Sequence, residues 1–138
     1  MNGSIASLLK DVPIGSLATT NPDGSPWNSP LHFAATESHL YWFSSEAAAH
    51  SQNIARDSRV SIAIWSPDES DGPRGVYINT TARALDTAET EQARAAYAAK
   101  FGSVPPFFAS FTAYGAPLGV LDESRSGHGK WYLTAQEG

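Results

Sequence analysis

The chain has 138 residues, which suits one domain over residues 1–138, and its 41% hydrophobic content is enough to fill a single core. A formal charge of −5 and a pI near 5.2 argue against a nucleic-acid partner, which asks for a basic face, and against attraction to an anionic membrane. No apolar run approaches the ~20 residues that span a bilayer, and Met1–Lys10 lacks a basic segment followed by an apolar one. The chain has no cysteine, so disulfides and thiol chemistry are excluded, and a cytoplasmic protein is the expectation.

In chain order, Ser4 to Asp11 reads as a short amphipathic helix, with Ile5, Leu8 and Leu9 at i, i+3, i+4 and Pro13 as its stop. Ile14 to Thr20 reads as a strand. Asn21-Pro22-Asp23-Gly24 is a turn, because proline fixes φ and glycine accepts φ > 0. Trp27 to Ala35 returns as the second arm of a hairpin. Pro30 cannot donate to a ladder, so it marks an edge, a bulge or a place where something other than a strand approaches. Leu40 to Ser44 is a third strand. Ala47 to Arg56 is an alanine-rich helix, with Ser44 or Ser45 available as its N-cap.

Val60 to Trp65 alternates with the period of a half-buried strand. Ser66 to Gly75 carries Pro67, Pro73 and three acidic residues and reads as a surface loop. A long strand opens at Gly75 and runs to Leu85, and Ala88 to Phe101 is helical by composition. Phe107 to Thr112 is aromatic-rich without a clear period. The surrounding stretch from Pro105 to Phe111 is too apolar to lie free, so it either packs on the fold or lids a cleft. Pro117 to Leu121 and His128 to Thr134 read as the last strands. Hairpins with inserted helices imply a mostly β fold, an antiparallel barrel with peripheral helices.

Signatures of side-chain catalysis are thin. No glycine-rich phosphate loop, nucleophile elbow or paired-histidine helix is present. The four histidines, His32, His39, His50 and His128, stand far apart and no spacing points to a metal site. The informative segment runs from Trp42 to Ile62, where a strand ends in two hydroxyls and a helix follows. A helix start carries unpaired N–H groups and partial positive charge, which suit a phosphate. His50 falls in the first turn and Asn53 lies at i+3 on the same face. The alternative is routine capping by Ser45, with His50 and Asn53 solvated. Trp27, Trp42, Trp65 and Trp131 are able to stack on a planar ring, but core or interface packing suits most of them equally. Arg74, Arg83 and Lys130 read as surface charges or as reaching a ligand across a dimer.

The same segment resembles the pyridoxamine 5′-phosphate oxidase-like, FMN-binding split-barrel family. Phe43-Ser44 matches its aromatic–hydroxyl strand end, and Asp57-Ser58-Arg59-Val60-Ser61-Ile62 matches the start of its next strand, with no gap between them. The opening hairpin, Leu17 to Phe33, and the strand from Gly75 to Ala82 are similar to the family's strands in the same order. The resemblance implies a six-stranded antiparallel split barrel forming a homodimer, with FMN in a cleft between subunits. It implies Asn28, Ser29 and Pro30 along the cofactor, Phe43, Ser44 and Ser45 flanking the ribityl chain and phosphate, and His50, Ser51 and Asn53 at the phosphate. Trp131 would border the ring from the other subunit.

Four positions depart from the family. Ser29 and Ala49 stand where arginines bind phosphate in the oxidase, and Ala34 and His50 stand where it has lysines. Several of the charges that hold the cofactor phosphate are therefore missing, and the oxidase's substrate-phosphate residues have no match near the C-terminus, so pyridoxamine phosphate is not the expected substrate. The resemblance implies an FMN-dependent oxidoreductase of a small-molecule substrate. A deazaflavin in the same cleft, a flavin carrier without turnover, and a barrel that has lost its cofactor are the alternatives.

Overall fold

The computed structural model describes residues 3–68 and 74–135. Helix α1 (Gly3–Asp11) is followed by strands β1 (Ile14–Thr20), β2 (Pro26–His32), β3 (Ala34–Ala35) and β4 (His39–Ser44). Helix α2 (Ala49–Arg56) leads into β5 (Arg59–Trp65), β6 (Gly75–Thr81) and β7 (Arg83–Ala84). Helix α3 (Thr87–Phe101), a 3₁₀ turn (Pro106–Ser110), β8 (Thr112–Pro117), β9 (Val120–Leu121) and β10 (Lys130–Thr134) complete the order. Of the loop expected over Ser66–Gly75, residues 69–73 lie outside the described residues, and Ser66 N–H donates to the Arg74 carbonyl at 3.0 Å across its base.

Two sheets form, one in the order β2-β1-β5-β6-β10-β9 and one in the order β3-β4-β8-β7. Two stretches that read as single strands each divide at the point where the chain passes from one sheet to the other. Between β2 and β3, Phe33 turns its N–H to the Pro13 carbonyl; between β6 and β7, Ala82 turns its N–H to the Ser58 carbonyl. These corners bend the sheets into a barrel that stays open between β2 and β4. The ladders are antiparallel with one exception, β10 on β6, which is parallel. Pro30 lies on the edge strand β2, where the missing N–H costs no ladder bond on the free side. Among the described residues no helix is long and apolar enough to cross a membrane.

Strand β4 explains the unbroken run Leu40-Tyr41-Trp42-Phe43. Leu40 and Trp42 enter the main core with Leu17, Phe33, Ile62, Ile64, Val76 and Ile78, while Tyr41 and Phe43 enter a second core with Ala93, Tyr97 and Phe108. A strand covered on both faces loses the period-2 alternation. The main core is closed by α1, through Ile5, Leu8 and Leu9. Lys100 pins that helix: its ammonium donates to the carbonyls of Leu9 at 2.9 Å and Val12 at 2.6 Å and sits 3.5 Å from the centre of the Phe33 ring. Helix α3 carries an Asp86–Glu89 capping box and ends on Gly102 in the left-handed region, so both its termini are satisfied locally.

Candidate functional site

The start of α2 differs from the sequence expectation. Neither Ser44 nor Ser45 caps it. The N-cap is Ala48, which has no side chain able to accept, and the helix begins at Ala49. Ser45, Glu46 and Ala47 make a separate turn first, in which Ala47 N–H donates to Ser45 Oγ at 3.2 Å and Ala48 N–H to the Ser45 carbonyl at 3.2 Å. The first-turn N–H groups of α2 are left without a capping side chain, and they carry the positive end of the helix dipole.

Beside this helix start a cavity of about 550 Å³ opens in the split between β2 and β4. Pro30, Leu31 and His32 come from β2, Phe43 and Ser44 from the end of β4, and His50 from α2. Tyr97 and Phe101 of α3 and Phe107, Phe108 and Phe111 around the 3₁₀ turn supply the rest of its aromatic wall. The wall contains no lysine, arginine, aspartate or glutamate. Phe43, Tyr97 and Phe108 pack with ring centres 5.1 to 5.6 Å apart, which fixes the inner wall. Phe107 is 62% exposed at the outer wall. The Pro105–Phe111 segment thus packs on the barrel and borders the cleft at once.

At the polar end, His50 Nε2 lies 2.8 Å from Ser44 Oγ. The imidazole is half-buried, and burial pushes its pKa below the ordinary 6.5, so it is neutral at pH 7. Of the residues expected at a cofactor, Pro30, Phe43, Ser44 and His50 are brought together here. Asn28 and Ser29 lie on the same edge strand outside the cavity lining; Asn28 Oδ1 accepts from the Ser16 hydroxyl. Ser45 is exposed in the turn before α2. Ser51 is turned into a different cavity, lined by α2, β7 and Tyr114. Trp131 packs half-buried against the main core on β10, paired with the buried Val76 and separated from β2 by three strands.

Asn53 has another occupation. Its Nδ2 donates to Thr19 Oγ1 and to Asn21 Oδ1, both at 3.0 Å, and its Oδ1 accepts from Arg56 Nη2 at 3.2 Å. Arg56 also donates to the Thr20 carbonyl. Asn53 therefore ties α2, which carries His50, to the β1–β2 hairpin. Asn53→Ala is expected to cost about 2–3 kcal/mol, since it strands buried partners. Urea unfolding checks this, and a loss below about 0.5 kcal/mol, the scale of an ordinary surface change, would show that the hairpin and helix hold together without it.

The aromatic residues from α3 and the 3₁₀ turn were not assigned individually by sequence. Their signal was compositional, an apolar stretch with no place in a strand pattern.

The edge strand β2, the open corner and the two sheets define a split barrel, with the helix-start cavity at its opening. Residues 1–120 match the family described as pyridoxamine 5′-phosphate oxidase, and the chain belongs to that family. No curated protein sequence matches it significantly. Among solved structures it is similar to a heme binding protein from Mycobacterium smegmatis, at 26% identity and a TM-score of 0.73 over 84% of this chain. The match spans 50% of that protein's length. It shares its fold with the heme storage protein HutZ from Vibrio cholerae (19% identity, TM-score 0.71, 84% of this chain and 88% of that one). It also shares the fold of an FAD-binding protein from Mesorhizobium loti (19% identity, TM-score 0.66, 87% and 91%).

Proposed function

We propose that this chain binds a flavin, FMN or a deazaflavin relative, in the cavity at the split and works as a homodimeric oxidoreductase of a small-molecule substrate. One observation carries the reading: an uncapped helix start meets an aromatic cavity. The α2 N–H groups, the Ser44 hydroxyl and His50 suit a phosphate monoester. Phe43, Tyr97 and the phenylalanines of the 3₁₀ turn offer apolar walls to a planar ring, and the volume falls within the ~300–1,000 Å³ usual for such sites. A bound flavin supplies the electron transfer. The chain's residues bind it, orient it and keep water from its ring. The wall holds no lysine or arginine to pair with a second phosphate, which supports a substrate other than pyridoxamine phosphate.

Self-association is supported by the outer face of the six-stranded sheet. The register places Ile14, Ala18, Ala63, Trp65, Tyr77 and Val120 on it, with Trp65 57% and Val120 73% exposed. Pro30 and His32 share that face's register and also line the cavity, so a second copy on the face would close the cavity's mouth.

A second reading, a haem in the same cavity, is favoured by the neutral His50. A deprotonated imidazole in an apolar wall is the form that ligates iron, and the Mycobacterium smegmatis relative is described as heme binding. Titration of the protein with FMN, followed by quenching of flavin fluorescence, tests the first reading. Saturable binding that inorganic phosphate competes away is expected. No saturable binding would overturn it, and a parallel haem titration then decides the second.

A further inference from the structure

A buried donor on the aromatic cavity has nothing to donate to. Tyr97 of α3 is 4% exposed, and three rings fix it: Phe101, Phe108 and Phe43, with centres 4.5, 5.2 and 5.6 Å away. Among the described residues its hydroxyl has no hydrogen-bond partner. Nor is it sealed in: the unpartnered side-chain polar atoms cut off from solvent, among the described residues, are Ser51 Oγ and Trp42 Nε1. The Tyr97 hydroxyl therefore keeps accessible surface, and the cavity that Tyr97 borders is the aromatic one. Burial pushes the phenol above the ordinary 10, so the proton stays on the oxygen at pH 7. An occupant that displaces water here either accepts from this hydroxyl or leaves a buried donor unpaired, at a cost.

The other polar groups of the wall are already served. His50 and Ser44 bond to each other at 2.8 Å, and His32 and Ser103 are exposed to water. Around Tyr97 the wall is Phe43, Phe101 and Phe108, with no charged side chain in the lining. An apolar, uncharged wall with one donor selects an uncharged ring that carries an acceptor. We propose that Tyr97 is a specificity-determining residue of this cavity, its hydroxyl donating to a carbonyl oxygen of a neutral planar ring laid against Phe43 and Phe108. Two sources offer such a carbonyl: the flavin ring itself and a separate planar substrate. The inference rests on the cavity assigned under the proposed function and names what its apolar half recognises.

The test is a ¹H–¹⁵N NMR titration of the full chain with acetophenone and ethylbenzene, two rings of similar size that differ by the carbonyl. Wild type and Tyr97→Phe are compared. The variant keeps the ring that packs on Phe43, Phe101 and Phe108, so it is expected to fold. Acetophenone is expected to give saturable shifts at the amides of Ser44, Phe108 and position 97. Tyr97→Phe is expected to weaken acetophenone roughly two- to tenfold, the range of one neutral hydrogen bond, and to leave ethylbenzene unweakened. Equal weakening of both probes would overturn the proposal and make Tyr97 a packing residue. Unchanged acetophenone binding in the variant would overturn it, as would an absence of saturable shifts at those amides. A parallel FMN titration separates the sources. A matching loss of FMN affinity in the variant assigns the flavin's carbonyl, and an unchanged FMN affinity beside weakened acetophenone assigns a substrate's. If wild type discriminates the probes through Tyr97 but takes up no FMN, the flavin reading fails and the Tyr97 assignment stands.

Discussion

Gly119→Ala is expected to destabilise the protein by at least about 3 kcal/mol, the range of a strained and overpacked backbone position. Gly119 lies between β8 and β9 at φ +77°, and a Cβ there would fall 2.2 Å from the carbonyl carbon and oxygen of Thr134 and 2.4 Å from the Ala135 nitrogen. These are backbone atoms, so no rotamer change relieves the overlap. Relief requires the end of β10 to move away from β9, against the Leu133–Leu121 and Thr134–Val120 pairing. Gly24→Ala separates the two contributions. Gly24 also has positive φ, at +87°, but nothing lies within 4 Å of the added carbon. It should cost only the left-handed conformation, about 1–2 kcal/mol. Urea unfolding of both variants compares them, and equal losses would remove the steric clash from the account.

The elements that sequence located well are those whose signal is local. The Asn21–Gly24 turn, the Ile5-Leu8-Leu9 stripe and the alternation of β5 each reflect physics contained within a few residues. The sheet-switching corners at Phe33 and Ala82 were not legible, because nothing in either run of residues says that its hydrogen bonds go to Pro13 or to Ser58. Strand β8, Thr-Ala-Tyr-Gly-Ala-Pro, also escaped. It is buried on both faces and, Tyr114 apart, is itself built of small residues, so it carries no alternation and little bulk. The parallel β10–β6 pair depends on where a distant chain end docks, which no local pattern specifies.

At the candidate site the same division holds. The strand-end hydroxyl and the first-turn histidine were visible because the strand-to-helix junction fixes both, and Ser44 and His50 meet. Ser51 is one residue further on, and the helix's rotation of about 100° per residue turns it away; Asn53, at i+3, stays within about 60° of His50 but is taken by its hydrogen bonds to Thr19 and Asn21. The cap assignment failed for a different reason. A serine in a capping position competes with the turn that precedes the helix, and here the turn takes Ser45.

The pH dependence of binding is expected to run in opposite directions for the two cofactor readings, with His50 responsible for both. Burial holds the His50 pKa below 6.5 in the folded protein, while the unfolded chain keeps the ordinary value. Between those values the unfolded state carries more protons, so the unliganded protein should gain stability as pH rises through this window and level off above 6.5. A phosphate at the α2 start favours the imidazolium and raises that pKa, so flavin binding takes up a proton. FMN affinity should then rise as pH falls from 8 toward 6, and His50→Ala should weaken it at the lower pH by about ten- to a hundredfold, the range of a lost charged hydrogen bond. Iron takes the neutral imidazole, so haem binding competes with protonation, and its affinity should fall over the same descent in pH. Fluorescence titrations with FMN and absorbance titrations with haem, on wild type and His50→Ala from pH 5 to 8, read both signs. A flat FMN profile that His50→Ala leaves unchanged would place the phosphate away from His50 and leave Ser44 and the α2 amides to hold it alone.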